Sequence, residues 1–171
     1  MDFEHVKKIT ILGQGVMGPD IALCFAIVGY EVTGVDVMEK PLERAAQKTS
    51  LNCQQMVEGG ILTAKEAINA QDRITRTLEW EGSVSSSDFI MEAVPEDMET
   101  KQVVFSKCDA LCSKDIIIAS NTSSMSITRI ASNGSSGKGY NRPLDDSGSP
   151  EPYGGNRLWR KDICRDKGYD F

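Results

Sequence analysis

Histidine is nearly missing: His5 is the one imidazole in 171 residues. That leaves a histidine-rich metal site without ligands. The five cysteines, at positions 24, 53, 108, 112 and 164, are scattered and odd in number, which argues against a disulfide framework. Cys108 and Cys112 stand four apart on an expected helix and could share a metal. No second ligand pair accompanies them, so they read as two small half-buried thiols and no metal is expected. No basic run stands out and the net charge is -6, which makes nucleic acid and anionic membranes poor partners. No apolar stretch approaches the roughly 20 residues of a membrane span. The opening MDFEHVKK carries acids where a leader peptide wants only bases, so the cytoplasm is the expected compartment.

What is present suits one globular domain with a real core: 40% of the residues are hydrophobic and 26% charged. KKITILG, YEVTGVD, DRITRTL, DFIMEAV and DIIIAS read as strands. DIIIAS is apolar enough to predict a strand buried on both faces. Between them lie segments of helical spacing: VMGPDIALCFAIVG, where Ile21, Phe25 and Val28 recur and Gly29 closes; KPLERAAQKTSLNCQQMVEGG, stopped by Gly59 and Gly60; TAKEAINA; and EDMETKQVVFSKCDALC. SITRIA starts one more helix. Strands alternating with helices predict an α/β fold, a Rossmann-type doubly wound parallel sheet, over residues 1–131.

Gly13-Gln14-Gly15-Val16-Met17-Gly18 is G-x-G-x-x-G between the first strand and the first helix. Gly13 would make the tight turn, Gly15 would let backbone approach a pyrophosphate, and Gly18 would allow close helix–strand packing. The helix N-terminus offers N–H groups to the phosphates, with Val16 and Met17 in the turn. Asp36 ends the second strand where a carboxylate would bind a ribose 2′-hydroxyl and repel a 2′-phosphate, which favours NAD over NADP. Pro19 suits the first helical turn. Asp20, a negative charge beside the phosphate-facing glycine, is expected to point to solvent and to weaken binding slightly.

ITILGQGVMGPDIA, DFIMEAVPEDMETKQVVF and IIIASNTSSMSIT together resemble the 3-hydroxyacyl-CoA dehydrogenase family, in its NAD-binding domain, from about Lys7 to Ala131. The pair E-A-V-x-E-x-x-x-x-K and S-N-T-S-S is the discriminating part. The resemblance implies that Glu96 and Lys101 lie at the cofactor and that Ser123 hydrogen-bonds the substrate's 3-oxygen. Read from the residues alone, Glu96 and Lys101 are a capping acid and a solvated helix lysine, and Asn121–Ser124 is a helix N-cap cluster. The family reaction oxidises a (3S)-hydroxyacyl-CoA to the 3-ketoacyl-CoA, of the 3-hydroxybutyryl-CoA type here. A histidine takes the hydroxyl proton, and a glutamate orients that histidine. Both should follow SITRIA in a string close to R-P-E-R-V-I-G-x-H-W-x-N-P-P, and neither is in the chain as written. The C-terminal helical domain that would carry substrate and homodimer contacts is also expected to be absent.

After Ala131 the pattern stops: residues 132–171 hold seven of the fifteen glycines, three of the six prolines and no periodic apolar set. GSSGKG has neither the spacing nor the hydroxyl of a phosphate loop. A linker or tag scar fits GSSG but not NRLWRKDICRDKGYDF. The genetic code offers another reading. Joining the last two bases of each codon to the first base of the next permits R-P-E-R-V-I between Ser135 and Asn141. The same rule permits G-H-W-M from Arg142 to Asp146 and V-E-I from Gly154 to Arg157. A glycine is forced at Trp159-Arg160, and E-K-T-S is permitted through Cys164. The asparagine after H-W-x is not reachable. A one-base shift near Ser132–Gly134 therefore explains the tail as the family's active-site strand read out of frame. Residues 132–171 are then expected to be mostly disordered, the sixth strand lost and the Rossmann domain truncated. The other classes that fit are a non-catalytic NAD-binding module with a genuine tail and a different β-hydroxyacid dehydrogenase; Asp36 and S-N-T-S-S argue against the latter.

Overall fold

The computed structural model describes residues 5–113 and 116–131. The expected tail, the proposed frame shift and Cys164 lie outside them. Five strands, β1 (Lys8–Leu12), β2 (Glu31–Val35), β3 (Ile74–Thr77), β4 (Phe89–Glu92) and β5 (Ile117–Ser120), form a sheet of order β3-β2-β1-β4-β5. Every neighbouring pair is parallel. Among the described residues six helices accompany them: α1 (Gly18–Ile27), α2 (Glu39–Glu58), α3 (Ala64–Asp72), α4 (Glu81–Ser85), α5 (Met98–Leu111) and α6 (Ile127–Ala131).

The strands are short and nearly continuous in apolar residues because both sheet faces are covered. Ile9, Ile11, Val32, Ile74, Phe89 and Met91 pack with α1, α2 and α3 through Leu23, Phe25, Cys53 and Ala67. Leu12, Val35 and Ile90 turn the other way, onto Val84 of α4 and Val104 and Cys108 of α5. The alternation along each strand thus divides the core into two layers, the mark of a doubly wound sheet.

Local chemistry sets the helix ends. Pro19 occupies the first turn of α1, where its missing N–H costs nothing. Gly29 at φ +100° and Gly60 at φ +70° turn the chain out of α1 and α2 as only glycine does without strain. Thr63 and Glu66 close a reciprocal capping box on α3.

One expectation needs correction. Ile117–Ser120 of that segment do form β5, but these residues are only half-buried, because among the described residues β5 pairs with β4 alone and stands at the sheet edge. The polar stretch after β3 also holds a short helix, α4, without an apolar period to announce it. Its Val84 is fully buried.

Candidate functional site at the carboxyl edge of the sheet

Three glycines shape the turn between β1 and α1, each differently. Gly13 takes φ +93°, and a Cβ there would lie 2.7 Å from the Ala93 carbonyl oxygen. The turn is therefore pressed against the exit of β4. A Cβ on Gly18 would sit 1.9 Å from the Gly13 carbonyl oxygen, so the first turn of α1 packs directly on the loop. Gly15 is the reverse case: a Cβ would meet nothing within 4 Å, and the backbone faces open space. Val16 and Met17 are 79% and 47% exposed beside it.

Asp36 is fixed at the end of β2 by three backbone donors. Its carboxylate accepts from the Gln14 N–H at 2.8 Å, the Val37 N–H at 2.8 Å and the Met38 N–H at 3.2 Å. The Gln14 bond ties the acid to the glycine turn itself. The Gln14 side chain is buried beneath that turn, filling the space in front of Gly34, and its Oε1 has no hydrogen-bond partner.

Asp20 does not point freely to solvent, contrary to expectation. Lys48 of α2 donates to it at 2.7 Å and Asn52 at 2.8 Å, and Lys48 also donates to the Val16 carbonyl at 2.7 Å. A cation thus offsets the acid that sequence reasoning set against the turn.

A second cluster gathers where β4 and β5 end. Glu92, the last residue of β4, and Lys101, from the first turns of α5, both have side chains with no exposed surface, and their charges meet at 2.8 Å. Glu92 also accepts from the Val94 N–H at 2.7 Å and from the Ser120 hydroxyl of β5. Lys101 donates further to the Val94 carbonyl at 3.3 Å and pairs with Glu96 at 3.2 Å. Glu96 is half-exposed and accepts from Thr122 and, at 2.9 Å, from Ser124. One buried cation therefore joins two carboxylates, two strands and the loop after β5.

Lys101 is accordingly no solvated helix lysine: Glu92, deep in β4, draws its ammonium inward. Nor is Asn121–Ser124 the cap of α6. Thr122 Oγ1 accepts from the Met125 N–H at 3.1 Å, one turn ahead of the helix, and Ser123 stands exposed on that bend. Asp97 caps α5 instead, accepting from the Thr100 N–H at 2.8 Å.

The Thr122 hydroxyl is the main reason that the Glu96 carboxyl sits below its ordinary range; Ser124 and Lys101 add to it, against partial burial. A lowered folded value contributes stability above the unfolded carboxylate value of about 4.3, which is lost as pH falls through the folded one. Thr122→Val is expected to raise the Glu96 midpoint in a carboxyl NMR titration and to shrink that acid-side loss. An unchanged midpoint would contradict the assignment.

The structure thus brings Gly13, Gly15, Gly18 and Asp36 together, and brings Glu96 and Lys101 together next to the Ser123 loop. Sequence reasoning missed Glu92, Thr122, Ser124 and Gln14 as contributors. For Glu92 a signal existed, an acid closing an otherwise apolar strand. Burial pushes the Cys108 thiol well above its usual value and Cys112 up to about 11, which disfavours the thiolate at both. Among the described residues no three His, Cys, Asp or Glu side chains gather as a metal would require, and no helix is long and apolar enough to cross a membrane.

A parallel sheet in this strand order, with a glycine turn and a fixed acid at its carboxyl edge, defines an NAD-binding Rossmann domain. Residues 8–139 match the family described as 3-hydroxyacyl-CoA dehydrogenase, NAD binding domain, and the chain belongs to it; its cofactor is NAD. The chain is 33% identical over 128 residues to the fatty acid oxidation complex subunit alpha of Pseudomonas entomophila, a match covering 75% of this chain and 18% of that protein. It is 31% identical over 127 residues to the peroxisomal fatty acid beta-oxidation multifunctional protein MFP2 of Arabidopsis thaliana, covering 74% and 17%. Among solved structures it is similar to the (S)-3-hydroxybutyryl-CoA dehydrogenase of Ralstonia eutropha, with TM-score 0.72, 28% identity and coverage of 76% and 46%. The chain spans less than a fifth of the length of the curated relatives it matches.

Proposed function

We propose that the chain is the cofactor half of a cytoplasmic NAD-dependent (3S)-3-hydroxyacyl-CoA dehydrogenase of the 3-hydroxybutyryl-CoA type. The observation that carries this is a juxtaposition. Gly13 abuts Ala93, so the glycine turn lies beside the strand exit that bears Glu96, and Glu96 in turn holds the loop that carries Ser123.

The residues present fit the cofactor. Gly15 leaves open space against bare backbone, where a pyrophosphate would lie at the start of α1, with Val16 and Met17 beside it. Asp36, anchored by three N–H groups, is held ready for a ribose hydroxyl, and Gly13 and Gly18 keep the turn tight. When bound, NAD supplies the hydride acceptor. Glu96, held by Thr122, Ser124 and Lys101, would lie at the cofactor together with Lys101, and Ser123 would donate its hydroxyl to the substrate's 3-oxygen. An acyl-CoA is the substrate, and the intact parent is a homodimer through its helical domain. The proton of the 3-hydroxyl needs a base that these 171 residues do not supply, since His5 precedes β1. We assign the histidine and its glutamate to the shifted frame after Ala131, which divides the chain into a Rossmann domain at 1–131 and an aberrant tail at 132–171.

Resequencing the codons for Ala131 to Gly137, with an acetoacetyl-CoA reduction assay, tests this. A gained or lost base is expected, with the corrected frame restoring turnover. The chain as written should run roughly 10²–10⁴ slower, as expected for loss of a general base. The lone His5 favours a second reading, a non-catalytic NAD-binding module. A confirmed frame and no turnover would favour that module over the dehydrogenase.

A further inference from the structure

Gly34 is an unusual residue for its place. It stands inside β2, in register with Ile11 of β1 on one side and Arg76 of β3 on the other, where a strand wants a side chain to pack. The space it leaves is taken by Gln14: a Cβ on Gly34 would lie 2.6 Å from both the Gln14 Cδ and its Oε1. A Cβ on Gly18 would lie 3.2 Å from the Gln14 Nε2, so the same amide also abuts the start of α1. Gln14 is only 1% exposed, which leaves the amide enclosed. Hydrogen bonding does not explain why it is buried there. Nε2 donates only over long distances, 3.3 Å to the Gly13 carbonyl and 3.5 Å to the Ile11 carbonyl, and Oε1 has no partner. An unpartnered buried acceptor costs stability, so what this side chain contributes is its bulk. The Gln14 main chain, meanwhile, donates to the Asp36 carboxylate at 2.8 Å, two residues on from Gly34.

We infer that Gln14 and Gly34 are a matched pair of positioning residues for cofactor selection: the Gln14 side chain, seated in the gap that Gly34 leaves, sets how the glycine turn rests on β2 and so where the Gln14 N–H holds Asp36. The buried side chain has no surface to offer a ligand and acts through its own backbone. A larger residue at 34 and a smaller one at 14 each disturb selection, and the two together restore it. This rests on the proposal that Asp36 receives the ribose hydroxyl.

Gly34→Ala places a methyl against the Gln14 amide. That amide is the free end of a side chain but is enclosed, so it yields by drawing Gln14 from its seat while β2 keeps its pairing. Titrating the full 171-residue chain with NADH and with NADPH, with a thermal melt of each sample, reads the result. Gly34→Ala is expected to stay folded, to bind NADH about 10-fold more weakly, the scale of one hydrogen bond to a charged group, and to discriminate less against NADPH. In Gln14→Ala/Gly34→Ala the new methyl occupies room that the amide vacates, and most of the affinity and of the discrimination should return. A merely structural pair would shift the melt and leave the NADH-to-NADPH ratio where it was. Wild-type affinity and ratio in folded Gly34→Ala overturn the inference, as does a double variant no better than Gly34→Ala. If Gly34→Ala fails to fold, Gln14→Ala alone is the second probe. It removes an unpartnered acceptor, so it is expected to fold, with weaker NADH binding and a narrowed ratio; an unchanged ratio overturns the inference. Asp36→Ala in the otherwise wild-type chain separates the inference from its premise. Normal NADH binding and an unchanged ratio there remove the Asp36 proposal and this inference with it; a clear effect of Asp36→Ala with none of Gly34→Ala removes the inference alone.

Discussion

Gly18→Ala should abolish saturable NADH binding and lower the melting temperature of the chain. The new methyl would lie 1.9 Å from the Gly13 carbonyl oxygen, a backbone atom that cannot rotate aside. Either α1 moves off the turn or the turn opens, and both displace the backbone at Gly15. Overpacking of this kind costs about 1–3 kcal/mol or more. At this chain length each kcal/mol moves the melting midpoint by roughly 2–4 °C. Thermal unfolding and NADH fluorescence titration of the same sample check it. Gly15→Ala is the internal contrast: its methyl meets nothing in the protein, so the fold should hold while ligand binding suffers. Normal NADH binding by Gly18→Ala would mean that the turn is not the phosphate site.

Lys101→Met should be the most damaging single change at the second cluster. It removes the cation from a Glu92 carboxylate that has no exposed surface. Breaking a buried pair from one side costs about 3–5 kcal/mol, a large part of the roughly 5–15 kcal/mol that holds a domain folded. Chemical denaturation should show that loss, and the added Glu92→Gln should recover most of it. The recovery distinguishes an unpaired charge from mere loss of lysine packing, which a second substitution could not repair. A Lys101→Met midpoint equal to that of the wild type would contradict the burial of this pair.

Much of the fold was legible because its signals are local. Apolar runs closed by turn residues announced each strand, and Gly29 and Gly59-Gly60 marked helix ends that the structure places at Ile27 and Glu58. The glycine turn was legible for the same reason, since each glycine answers a nearby steric demand. What escaped depends on contacts distant in sequence. The salt bridge of Asp20 with Lys48 joins two helices, so no window around Asp20 could show that its charge is offset. Glu92 closes an apolar strand with no local sign of its role, because its partners come from α5 and from Ser120 on the neighbouring strand. Asn121–Ser124 looked like a cap because hydroxyls before a helix usually are; here Glu96 takes the Thr122 and Ser124 hydroxyls. The half-burial of β5 is a matter of its neighbours in the sheet rather than of its own composition.

The central claim is that the glycine turn and Asp36 bind NAD. Titrating the full chain with NADH and then with NADPH, read by nicotinamide fluorescence, tests it most directly. Saturable binding of NADH with much weaker binding of NADPH is the predicted result, and Asp36→Ala should narrow the difference. Equal binding of the two, or saturable binding of neither, would contradict it.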